Sequence, residues 1–153
     1  MLQGKSKQAI HAINKGFSII QELNRSDPKN TDYQLDTSII MSLYGRFEEK
    51  EKNYSAAYAW HMQELKIVLE IYAGNENNAE ILSNLAETYL NLYKTASNLE
   101  KRLEAEQWCR KYLETQKKFK EAIEQYTKVK EKYPMSDEGR DIEKYISRAT
   151  AQL

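Results

Sequence analysis

Apolar side chains return every three or four positions along nearly the whole chain, the period of an amphipathic helix. Ala9, Ile13, Phe17 and Ile20 form the first such stripe and predict a helix over 6–23, followed by the loop-forming run Asn24 to Asn30. Asp27-Pro28 turns the backbone away from helix, and Thr31 or Asp32 is the expected cap of the next one. Leu35, Ile39, Ile40, Leu43, Tyr44 and Phe47 then predict a second helix over 33–51. Gly45 lies inside it, where a glycine costs about 1 kcal/mol against alanine, so a second helix is expected to come close there.

The third predicted helix covers 54–72, with Gly74 as its expected terminator, and Asn77 or Asn78 caps a fourth that runs to 93. The polar run 94–100 reads as an inserted loop. A fifth helix over 101–116 holds Leu103, Trp108, Cys109, Tyr112 and Leu113, and a sixth covers 119–132, ahead of Tyr133-Pro134. Ser136 caps a seventh over 137–151, with Ile142, Tyr145, Ile146 and Ala149 on one side.

Superimposed on this helical period is a longer one. Ala57-x-x-Trp60 recurs as Ala105-x-x-Trp108, each tryptophan is followed five positions on by a leucine (Leu65, Leu113), and Ala9 stands as far before Ala57 as Ala57 stands before Ala105. A repeat of this size built from helices describes hairpins that stack on their neighbours. The pattern resembles tetratricopeptide repeats, which place small residues where the two helices of a hairpin meet. Gly45 and Ala57 match one such pair; Ala86 and Ala105 match a second, more widely spaced because of the 95–100 region. Met41, Tyr44 and Tyr54, then Leu82, Leu85 and Tyr89, fall at the family's large positions, and Phe119-Lys-Glu-Ala122 with Tyr126, Val129 and Pro134 resembles another second helix. Leu82-Ser-Asn84-Leu85-Ala86 is similar to the long repeats of kinesin light chains and of peptide-sensing bacterial regulators.

The resemblance implies an all-α, right-handed α-solenoid of about three and a half hairpins and seven helices, a single domain over 1–153. Its parts would be a leading helix (6–23), repeats at 33–72 and 77–116, and a final repeat with a capping helix at 119–151. It also implies that the first helices of the hairpins line an inner wall, on which Ser42, Arg46, Glu49, Lys50, Ser83, Asn84, Glu87 and Asn91 would hold a peptide or a partner helix. One family subclass grips C-terminal carboxylates with lysine and asparagine at matched inward positions. Ser42 and Arg46, then Ser83 and Glu87, stand there instead, so that clamp is not expected.

Composition narrows the alternatives. Lys+Arg and Asp+Glu are equal at 23 each in 153 residues, which gives no overall field to draw nucleic acid or an anionic membrane. Cys109 is the sole cysteine, so no intrachain disulfide or cysteine zinc site is expected. No apolar run approaches the roughly 20 residues of a membrane span, and Met1-Leu-Gln-Gly-Lys does not read as a secretion signal, so a cytoplasmic location is expected. His11 and His61 fall in different helices, with His61 at a packing position, and no glycine-rich phosphate loop occurs; neither an enzymatic activity, a metal nor a cofactor is expected. Lys111, Lys117, Lys118, Lys120, Lys128, Lys130 and Lys132 are interleaved with Glu114, Glu121, Glu124 and Glu131, a pattern of paired helix charges rather than a phosphate track. RNA binding is therefore the weaker alternative, and self-association through the end helices, with Ile142, Tyr145 and Ile146, is another.

Overall fold

Two asparagines at equivalent places in the long repeat, Asn30 and Asn78, each start a helix of 20 residues. The side chain of Asn30 accepts hydrogen bonds from the backbone N–H groups of Asp32 and Tyr33, and that of Asn78 from those of Glu80 and Ile81. Both satisfy donors that a helix start leaves open. In the computed structural model, which describes residues 2–132, these helices are the second and fourth of five: α1 (Leu2–Ser26), α2 (Thr31–Lys50), α3 (Tyr54–Tyr72), α4 (Ala79–Asn98) and α5 (Arg102–Lys132). No strand occurs among the described residues, and the class is all-α.

Each helix packs on the next. Asn14 meets Tyr44 and Asn24 meets Thr37, so α1 and α2 are antiparallel. The same sense joins α4 to α5, where Tyr89 stacks on Trp108 and Ala79 clusters with Phe119 and Ala122. Tyr58 and Tyr72 of α3 reach Glu104 and Lys118 of α5, which sets those two helices parallel.

The equivalence set by Asn30 and Asn78 holds through the turns. In the α2–α3 turn the N–H groups of Glu51, Lys52 and Asn53 donate to the carbonyls of Phe47, Glu49 and Glu48. In the α4–α5 turn Leu99, Glu100 and Lys101 donate to Thr95, Ser97 and Ala96. Lys52 (φ 62°) and Glu100 (φ 57°) both take the left-handed conformation there. The equivalence also governs packing between hairpins: Gly16 lies against Ile40 as Glu64, one repeat further on, lies against Thr88.

Several sequence expectations are corrected by these helices. Residues 94–98 belong to α4, and the connection is only 99–101, so there is no inserted loop. With α2 and α4 equally long, the counterpart of Ala86 is Ser38 rather than Gly45; both are buried. The predicted fifth and sixth helices are one continuous α5, because nothing between Gln116 and Phe119 can stop a helix. Seven helices are thus not observed among the described residues, and the predicted 137–151 helix lies outside them. Gly74 is not left-handed; α3 ends at Ala73, still in helical geometry. Leu113, matched in sequence to the buried Leu65, is exposed, as is Leu103.

The core runs along the seams between helices. Leu65 and Val68 of α3 meet Leu85, Tyr89 and Leu92 of α4, with Trp108 and Tyr112 of α5 closing over them. Side chains as fully enclosed as Leu82, Leu92 and Val68 each contribute about 1.5–3 kcal/mol. Ala57, Ala86 and Ala105 are all buried.

Candidate functional site

Between α2 and α4 lies a groove of about 250 Å³. Ser38, Ile39, Ser42, Leu43 and Arg46 of α2 form one side, Asn84 and Glu87 of α4 the other, and Glu64 of α3 contributes to its wall. Its apolar members come from an unexpected source. Ile39 and Leu43, predicted to pack, are 47% and 38% exposed, because α2 turns its packing side, Ser38, Tyr44 and Gly45, toward α3 and α1.

Beneath the groove a chain of polar groups ties three helices together. The two ring nitrogens of the fully buried His61 face Glu64 Oε2 at 3.0 Å and Glu49 Oε1 at 3.1 Å. Thr88 Oγ1 lies 2.8 Å from Glu64 Oε1, to which it can donate, and 2.9 Å from the carbonyl of Asn84. Burial alone pushes the His61 pKa down, but the hydrogen bonds to Glu49 and Glu64 and their charges outweigh it, and the net shift is upward. When protonated, the imidazolium can donate one hydrogen bond to each carboxylate, and both ring nitrogens are then engaged.

Four of the eight residues expected on the inner wall meet at this groove: Ser42, Arg46, Asn84 and Glu87. The others go elsewhere. Glu49 is half-buried and engaged with His61 of α3. Lys50 lines a different groove, between α1 and α2. Ser83 is half-buried and outside the groove lining. Asn91 is buried, and its Nδ2 finds no hydrogen-bond partner among the described residues. Sequence reading missed Glu64, which carried no signal beyond standing three positions after His61 on the same helix.

The α1/α2 groove is larger, about 650 Å³. Ala9, Ile13, Leu43 and Phe47 form its apolar part, and Lys5, Arg46, Lys50 and Glu51 its edge. Arg46 and Leu43 belong to both grooves. Four aromatic residues are packing elements: Tyr44 stacks on Trp60 with ring centroids 4.5 Å apart, and Tyr89 on Trp108 at 5.9 Å. Among the described residues no group of His, Cys, Asp or Glu is placed to hold a metal ion, and no helix is long and apolar enough to cross a membrane. No protein-family model, curated protein or solved structure matches the chain.

Proposed function

We infer that this chain is a non-enzymatic protein-interaction module, a right-handed α-solenoid of tetratricopeptide-like hairpins that holds an extended peptide across the α2/α4 groove. The observation that carries this reading is the meeting of Ser42, Arg46, Asn84 and Glu87, with Ile39 and Leu43, on the open side of two equivalent first helices. Matched caps and turns in successive hairpins support the solenoid. In this groove the Asn84 amide both donates to and accepts from a peptide backbone. Arg46 selects a carboxylate, Glu87 a cation, and Ile39 and Leu43 an apolar side chain between them. The hydrogen-bonded floor of Glu49, His61, Glu64 and Thr88 ties three helices together before any ligand arrives, which limits the ordering cost of binding.

RNA recognition is less well supported. Lys111 and Lys118 sit over the rings of Tyr89 and Tyr72, so part of the basic series on α5 is already engaged.

Selection from a random peptide display library on the immobilised protein, followed by affinity measurement of the enriched sequences, tests the reading. Arg46→Ala and Asn84→Ala are expected to weaken binding at least ~10-fold, about 1.4 kcal/mol, while Leu103→Ala on α5 leaves it unchanged. Enriched peptides indifferent to both groove substitutions would overturn the assignment.

A further inference from the structure

The α1/α2 groove has the form of a seat for one more helix. In the long repeat, α1 corresponds to α3 and α2 to α4, as the Gly16–Ile40 and Glu64–Thr88 contacts show directly. In the complete hairpin α2 covers α3: Tyr44 stacks on Trp60, and the His61 ring presses on Gly45. The corresponding positions of α1 are Ala12 and Ile13, and among the described residues no helix lies over them; Ala9 and Ala12 are exposed, whereas Ala57 is fully buried. On the facing helix, Leu43 is 38% exposed and Phe47 half-buried, while their counterparts Asn91 and Thr95 in α4 are buried. The groove therefore lies where the first helix of a preceding hairpin would pack.

We propose that this groove docks an acidic amphipathic α-helix of a partner protein, lying antiparallel to α1. The lining runs from residue 5 to 13 of α1 and from 43 to 51 of α2, a rise of about 12 Å, so two to three turns of the guest helix make contact. Ala12, small where α3 has Trp60, leaves room beside Ala9 for the guest to present leucines or aromatics at helical spacing.

Charge complementarity decides the guest's polar side. Lys5, Arg46 and Lys50 stand at the edge, and its one acid, Glu51, already accepts from Ser6 Oγ at 3.0 Å. A guest antiparallel to α1 brings its C-terminal turn to these cations, so acidic side chains and the helix dipole are both favoured there. A second copy of this chain is a poorer guest through α1, α2 or α4. Its α2 and α4 have their packing sides committed to neighbours, and α1 carries Lys5, Lys7, Lys15 and Arg25 against Glu22, so two α1 helices repel one another.

The test uses the full chain and a fluorescein-labelled peptide with the sequence of residues 31–50, a helix of the type the seat takes, whose Glu48 and Glu49 fall in its last turn. Fluorescence anisotropy is expected to show saturable binding that Ala9→Glu weakens at least ~10-fold and Lys5→Glu about 3-fold or more. An E48K/E49K peptide is expected to bind more weakly than the parent, and circular dichroism melts of both protein variants are expected to match the wild type, since Ala9 and Lys5 are exposed. Absence of saturation at about 1 mM peptide, or binding indifferent to Ala9→Glu, would overturn the proposal. So would a concentration-dependent dimer in light scattering that Ala9→Glu abolishes, which would assign the groove to a second copy. Ala9 and Lys5 do not line the α2/α4 groove, so failure here leaves the earlier reading standing, and Asn84→Ala is expected to leave this binding unchanged.

Discussion

Gly45 has no side chain because the imidazole of His61 occupies the space: a Cβ built on Gly45 would lie 2.6 Å from His61 Nε2 and 2.8 Å from Nδ1. The glycine thus gives up about 1 kcal/mol of helix propensity and lets the buried ion pairs form. Gly45→Ala is expected to lower stability by about 1–3 kcal/mol through overpacking. In a His61→Ala background the same substitution is expected to become stabilising by roughly 1 kcal/mol, because the obstacle is gone. Urea denaturation of the four proteins of this cycle reads the sign change directly; alanine at 45 with the same sign in both backgrounds would contradict the relationship.

The pH dependence of stability comes from the same histidine. Its pKa is raised in the folded protein, so its stabilisation is fully present below its unfolded value, near 6.5, and is lost as pH rises through the folded pKa. Chemical denaturation from pH 6 to 9 is expected to show the wild type losing stability relative to His61→Asn as the pH rises. A gap that stays constant across that range would contradict an imidazolium bridging Glu49 and Glu64.

The two hairpin turns should respond alike to substitution. Lys52 and Glu100 hold the left-handed conformation, which costs a residue with a Cβ about 1–2 kcal/mol. Lys52→Gly and Glu100→Gly are each expected to stabilise the chain by about 0.5–1 kcal/mol, after the entropy cost of glycine is subtracted. Thermal melts of the single and double variants check this, with the two gains expected to add because the turns are separate.

The asparagine caps are the second matched pair. Asn30→Ala and Asn78→Ala are each expected to cost about 1 kcal/mol, because each removes the acceptor of two backbone N–H groups. Equilibrium denaturation checks the two values, and a loss at one site alone would contradict the equivalence of the hairpins.

Legibility in the sequence divides along physical lines. The helices α1 to α3 and the close approach at Gly45 were legible because an amphipathic helix leaves a period and a glycine in mid-helix needs a neighbour, although Ala9, Ile39 and Leu43 of the predicted stripes are exposed. The true turn at 99–101 was not, because its left-handed residue is a glutamate, which carries no turn signal, while the polar run 94–98 resembles a loop only by composition. That misplacement made Ala86 the counterpart of Gly45 instead of Ser38. Of the groove lining, Ser42, Arg46, Asn84 and Glu87 were named from the resemblance. The places of Glu49 and Asn91 were not legible, since the side of a helix that its neighbours cover is set by packing between helices. Glu64 was invisible for a related reason: a carboxylate on an otherwise apolar stripe reads as solvated until its partners His61 and Thr88 are brought together from two helices.

Site-specific photo-crosslinking tests the central claim most directly. With p-benzoylphenylalanine placed at Ile39 or Glu87 in the α2/α4 groove and at Leu103 on α5, each protein is exposed to a peptide selected for binding. The account predicts crosslinks from Ile39 and Glu87, competed away by unlabelled peptide, and none from Leu103; adducts formed mainly from Leu103, with Ile39 and Glu87 silent, would contradict it.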